Sequence, residues 1–186
     1  MNKLSYFCKP KFVEMSGLFT IPIGGMKEGY QSFDFEIGNE FFELFEGSEI
    51  SEGVLKACVN ADKRSSHIDL AILIDGAVKI SCDRCLGIFS LPVHCENRLM
   101  VQFGKPDDEN DPDIITIPAD EHELDLCHYF YEYILLALPI KRLHPDDENG
   151  NSTCDPEMIS RLKEHMIRDD IGTDPRWDGL KKIMNN

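Results

Sequence analysis

The sequence predicts an α+β fold, an antiparallel strand-rich amino-terminal region forming a small barrel or sandwich with carboxyl-terminal helices packed on it. Three observations carry this. Apolar residues alternate with polar ones from Ser32 to Gly104, the period of half-buried strands. From about Glu123 they recur instead at three and four, the period of a helix face. Asp155-Pro156 and Asp174-Pro175 then repeat a helix-start signature, a capping side chain followed by proline at the first helical position. The expected organisation is a β region over residues 1–113 and a helical region over 114–186, folding as one cooperative domain.

The strands follow in order. Phe33, Phe35 and Ile37 mark the first, and Leu55, Ala57, Val59 and Ala61 the second. Ile68, Leu70, Ile72 and Ile74 mark a third, and Val78, Ile80 and Cys82 continue the pattern. Ile88, Leu91 and Val93 follow, then Leu99, Val101 and Phe103. Turn-forming residues at Asp62–Ser66, Asp75–Gly76 and Asp83–Gly87 predict the hairpins of a meander. Residues 105–113, rich in Asp, Glu and Pro, break both periods and read as a solvated connection, without the spacing and glycine of a calcium loop. Ile114, Ile115 and Ile117 add one more strand.

A helix is expected from about Glu123 to Leu138, with Leu124, Cys127, Tyr131, Ile134, Leu135 and Leu138 on one face and Pro139 ending it. Met158, Ile159, Leu162 and Met166 form the stripe of a second helix, and Trp177, Leu180 and Ile183 or Met184 that of a third, which docks on the sheet.

Composition limits the function. A chain of 186 residues buries about 70% of its unfolded surface, enough for a true core. Nineteen basic residues against 34 acidic ones leave a net charge of -15, which repels phosphate backbones and suits a basic partner. Residues 1–11 lack the apolar stretch of a secretory signal, and no segment has the roughly 20 apolar residues of a membrane span, so a cytoplasmic location is expected. Seven cysteines in such a chain point to thiols kept reduced or bound to metal.

Cys82 and Cys85 carry the chemistry. Two thiolates three positions apart on a tight turn, followed by Gly87, converge as a tetrahedral zinc ion requires. His144 and Cys154, flanking an acidic loop, are the best candidates to complete the set, and Cys58, Cys127, His94 and Cys95 compete with them. A redox dithiol is the rival reading, but the helix start within a parallel unit that such a pair occupies is missing. Nucleophile-elbow, phosphate-loop and zinc-protease motifs are absent. Cations are few. The surface best placed to touch RNA joins Lys141 and Arg142 to Arg176, Lys181 and Lys182.

The order of these pieces resembles the YceD-like family of large ribosomal RNA subunit accumulation proteins. The resemblance rests on Cys82-Asp83-Arg84-Cys85-Leu86, a helix ending Leu135-Leu136-Ala137-Leu138-Pro139, and the later His144 and Cys154. The closing Asp174-Pro175-Arg176-Trp177-Asp178-Gly179-Leu180-Lys181-Lys182 is similar to the family's tail. The interval from His144 to Cys154 is long and acidic for this family.

The resemblance implies a non-enzymatic factor in accumulation or processing of large-subunit ribosomal RNA. A large-subunit ribosomal protein or precursor RNA would be its partner, and no small-molecule substrate is expected. Zinc would be structural. Two other readings stay open, a zinc- or thiol-dependent enzyme using Cys82 and Cys85, and a protein-interaction module unrelated to ribosomes.

Overall fold

The computed structural model describes residues 17–104, 114–118 and 120–166. The connection at 105–113, the helix expected from Asp174, and Arg176, Lys181 and Lys182 lie outside them. The chain divides into two compact units, residues 1–142 and 143–186. The α+β class holds.

The first unit is built on a five-stranded sheet in the order β2-β3-β4-β5-β6. These strands are Gly29–Ile37 (β2), Glu52–Lys63 (β3), His67–Ser81 (β4), Ile88–Phe103 (β5) and Ile114–Ile117 (β6). β2 to β5 form the expected antiparallel meander, whereas β6 runs parallel to β5, Val101 facing Ile115. The order is linear, with β2 and β6 at its ends, so among the described residues the hydrogen-bonded strands do not close into the barrel offered as one form of the fold. A separate pair joins Thr20–Pro22 (β1) to Glu123–Asp125 (β7).

Alternation decides which face is buried. Leu55, Ala57, Val59 and Ala61 of β3 stand beside Gly76, Ile74, Ile72 and Leu70 of β4, and all the side chains among them are buried. Alanine beside isoleucine or leucine lets the layers interlock, and each fully buried large aliphatic contributes about 1.5–3 kcal/mol.

The expected hairpin at Asp75–Gly76 does not form. β4 runs straight through it, because the inward phase of Ile68, Leu70, Ile72 and Ile74 continues unbroken to Val78 and Ile80. Likewise Ile88–Val93 and Leu99–Phe103 are two ends of the single strand β5.

Among the described residues of this unit lie two short helices, Asn39–Glu43 (α1) and Cys127–Ala137 (α2). α2 begins four residues later than the period suggests, since Leu124 is taken by β7, where it faces Ile21. Its cap, Leu138, is already extended before Pro139, as the steric demand of proline requires. Phe130 of α2 is fully buried, packing edge-on to Phe19 at 6.1 Å and obliquely on Phe35 at 5.5 Å. Tyr131 stacks on Phe45 at 3.7 Å, tying the loop after α1 to the same helix.

The second unit carries one helix among its described residues, Pro156–His165 (α3), with the expected cap: the Asp155 side chain accepts from the Glu157 N–H at 2.9 Å. Replacing Asp155 by alanine should lower the stability of this unit by about 1 kcal/mol, read from its denaturant midpoint.

Candidate metal centre

The turn between β4 and β5 is a knuckle closed by backbone bonds. The Cys82 N–H donates to the Gly87 carbonyl and the Leu86 N–H to the Cys82 carbonyl, both at 2.9 Å. Leu86 adopts a φ of 61°, left-handed backbone that costs a side-chain-bearing residue about 1–2 kcal/mol. Cys82 is wholly buried and Cys85 3% exposed, while the Arg84 N–H donates to the Cys82 sulfur at 3.4 Å.

A clasp that the sequence did not reveal braces this knuckle. The Asp83 N–H donates to the Arg142 carbonyl at 2.8 Å, and the Arg142 N–H donates back to the Asp83 carboxylate at 2.7 Å. No periodic signal marks two residues joined this way across 59 positions. Asp83→Ala removes the acceptor and should cost about 1–3 kcal/mol by chemical denaturation, with Asp83→Asn retaining part of it.

In the second unit the acidic loop folds back on itself. Asp146 and Ser152 form a β-bridge, the Asp147 N–H donates to the Asn151 carbonyl at 2.8 Å, and the Thr153 hydroxyl donates to the Pro145 carbonyl at 2.7 Å. The Asp147 carboxylate accepts the N–H groups of Asn151 at 2.7 Å and Asn149 at 2.9 Å, and these bonds hold its pKa below the usual range. The ends of a long interval are thereby brought together. The Cys154 sulfur lies 3.7 Å from Nδ1 of His144, and Cys154 is buried.

Among the described residues, the donor set that could hold a metal ion is Cys82, Cys85, His144 and Cys154. The chemistry fits zinc. Three thiolates and an imidazole are soft to borderline donors that suit Zn²⁺, and the three cysteines are buried, with His144 half-buried.

The competing candidates are occupied otherwise. Burial, aided by the Asp125 charge, pushes the Cys127 thiol up to about 11, far from a ready thiolate. Burial also raises Cys95, with Asp75 adding to it, and Cys58 sits mid-strand opposite Leu73. His94 is hydrogen-bonded to Asp75 at 2.5 Å, which with the carboxylate charge raises its pKa. The pair therefore favours the fold below the ordinary histidine pKa, and its contribution fades as pH rises through the elevated value. An NMR titration should place His94 above the ordinary range in the native chain and return it there in Asp75→Asn.

Of the cations nominated for RNA, Lys141 is exposed. The Arg142 guanidinium pairs with Glu49 at 2.5 Å. No described helix is long and apolar enough to cross a membrane.

The family model described as large ribosomal RNA subunit accumulation protein YceD matches residues 70–184, more than half of the chain and all four donors. No curated protein and no solved structure matches.

Proposed function

The chain belongs to the YceD family, and from that premise we propose that it promotes accumulation of large-subunit ribosomal RNA as a cytoplasmic binding factor without turnover. In this reading a basic large-subunit ribosomal protein is held on its acidic surface. The charge of -15 carries the reading, because a molecule this anionic draws in basic proteins and repels polyanions except where cations gather locally. Direct contact with precursor RNA is then confined to the neighbourhood of Lys141 and Arg142 and of Arg176, Lys181 and Lys182.

Within the same reading Cys82, Cys85, His144 and Cys154 bind one structural zinc ion. Each pair supplies half of the four ligands that tetrahedral zinc takes. A metal so held supplies folding energy, and four protein ligands leave no open position for water or substrate. That donor count supports a binding factor over a zinc enzyme.

Purification of the full chain from growing cells at low salt should enrich large-subunit proteins and precursor RNA, and cells lacking the chain should hold less large-subunit than small-subunit RNA. A preparation free of ribosomal material, from cells whose subunit RNA ratio is unchanged by the deletion, would overturn the proposal.

A further inference from the structure

A groove of about 580 Å³ opens at the end of β2, beside α1. Phe35 and Phe41 form its apolar floor with Leu18, which is 59% exposed, and Asp34, Glu36 and Glu40 stand on its rim. β2 is an end strand of the sheet, bonded among the described residues to β3 alone.

The surrounding sequence is charged in one sense. From Glu28 to Leu55 the chain has eight carboxylates and no lysine or arginine. Asp34 shares an exposed ion pair with Lys56 at 3.4 Å, and Glu36 stands directly across from that same lysine on β3, one cation against two carboxylates, whereas Glu40 has no ion pair among the described residues. An apolar floor ringed by carboxylates selects its occupant. A second copy of this chain brings the same negative field, nucleic acid brings phosphates, and an anionic lipid surface is repelled likewise.

We infer that this groove receives an extended basic segment of a partner protein, with an apolar side chain seated on Leu18 and Phe35 and adjacent arginines or lysines on Glu36 and Glu40. The inference rests on the proposed function for its partner and narrows that partner's contact to one place. Arginine suits the rim best, because its planar fork engages a carboxylate with two hydrogen bonds. The groove has room for a few side chains and not for a folded domain, so the recognised element is a tail or loop.

The probe is a fluorescein-labelled peptide in which arginine alternates with leucine, titrated onto the full chain at low and at moderate salt. Binding should weaken as salt rises. The double variant Glu36→Gln with Glu40→Gln should weaken it about three- to tenfold. Leu18→Ser should weaken it without altering the salt dependence. Glu121→Gln with Glu123→Gln removes the same charge at another exposed site of the first unit and should change affinity less than about twofold. Equal losses in both double variants would reduce the effect to the general field and overturn the groove, as would tight binding of the peptide with glutamate replacing arginine.

Two failures separate cleanly. A native chain that retains large-subunit components from cells, with the Glu36/Glu40 variant retaining them equally, removes the groove and leaves the function. A native chain that retains none removes the function, whatever the peptide does.

Discussion

Cys85→Ser is expected to abolish zinc binding and to lower the stability of the folded chain by more than about 4 kcal/mol. The serine hydroxyl is nearly isosteric but is not a thiolate at neutral pH, so one of four ligands is lost while the volume at a 3%-exposed position barely changes. The effect is large because the other donors keep their cost. Cys82 and Cys154 stay buried, and the strained left-handed turn at Leu86 remains in place. Elemental analysis of the native protein should give one zinc per chain, against none in the variant. A strong chelator should lower the native denaturation midpoint and leave that of the variant unmoved. A native midpoint indifferent to chelator would end the shared-metal proposal.

The second large effect is expected at a residue with no side chain. A Cβ at Gly76 would lie 2.3 Å from the Val54 carbonyl oxygen and 2.5 Å from the Leu55 Cα. These are backbone atoms of the neighbouring strand, which cannot rotate away. Gly76 also has a φ of 153°, where an L side chain is strained. Gly76→Ala should therefore cost about 3 kcal/mol or more, against the roughly 1 kcal/mol gain alanine brings where backbone and space permit. Urea unfolding reads the difference. A variant as stable as the native chain would show that β3 and β4 do not approach as closely as described.

The same residue shows what a local reading misses. Asp75-Gly76 has the composition of a hairpin turn, and a glycine is needed there, but for close approach of β3 and not for a reversal. The alternation of Ile74, Gly76 and Val78 carried the correct answer, because a turn would have broken the phase. Leu124 misled in the opposite way. It lies at helical spacing from Cys127 and Tyr131, yet pairing with Ile21 draws it into a strand. Asn39–Glu43 gave too short a periodic signal to be recognised as α1.

The candidate site was legible for a chemical reason. Thiols and imidazole are the residues that bind zinc, and their spacing on a turn is a local property; His144 and Cys154 were chosen as flanks of one loop, and the bonds of Asp147 and Thr153 bring them together. The Asp83–Arg142 clasp was illegible because nothing local to either residue names the other.

Sequence by itself determined the α+β class, the phase of each buried face and the capped helix from Asp155, and it nominated Cys82, Cys85, His144 and Cys154 as candidate metal donors. Each of these depends on side-chain type and on neighbours a few positions away. Only the tertiary structure decided that β4 and β5 run unbroken, that β6 lies parallel to β5 and that Phe130 meets Phe19 and Phe35. Those outcomes depend on which distant backbone or ring comes to lie alongside, and a local period carries no record of it.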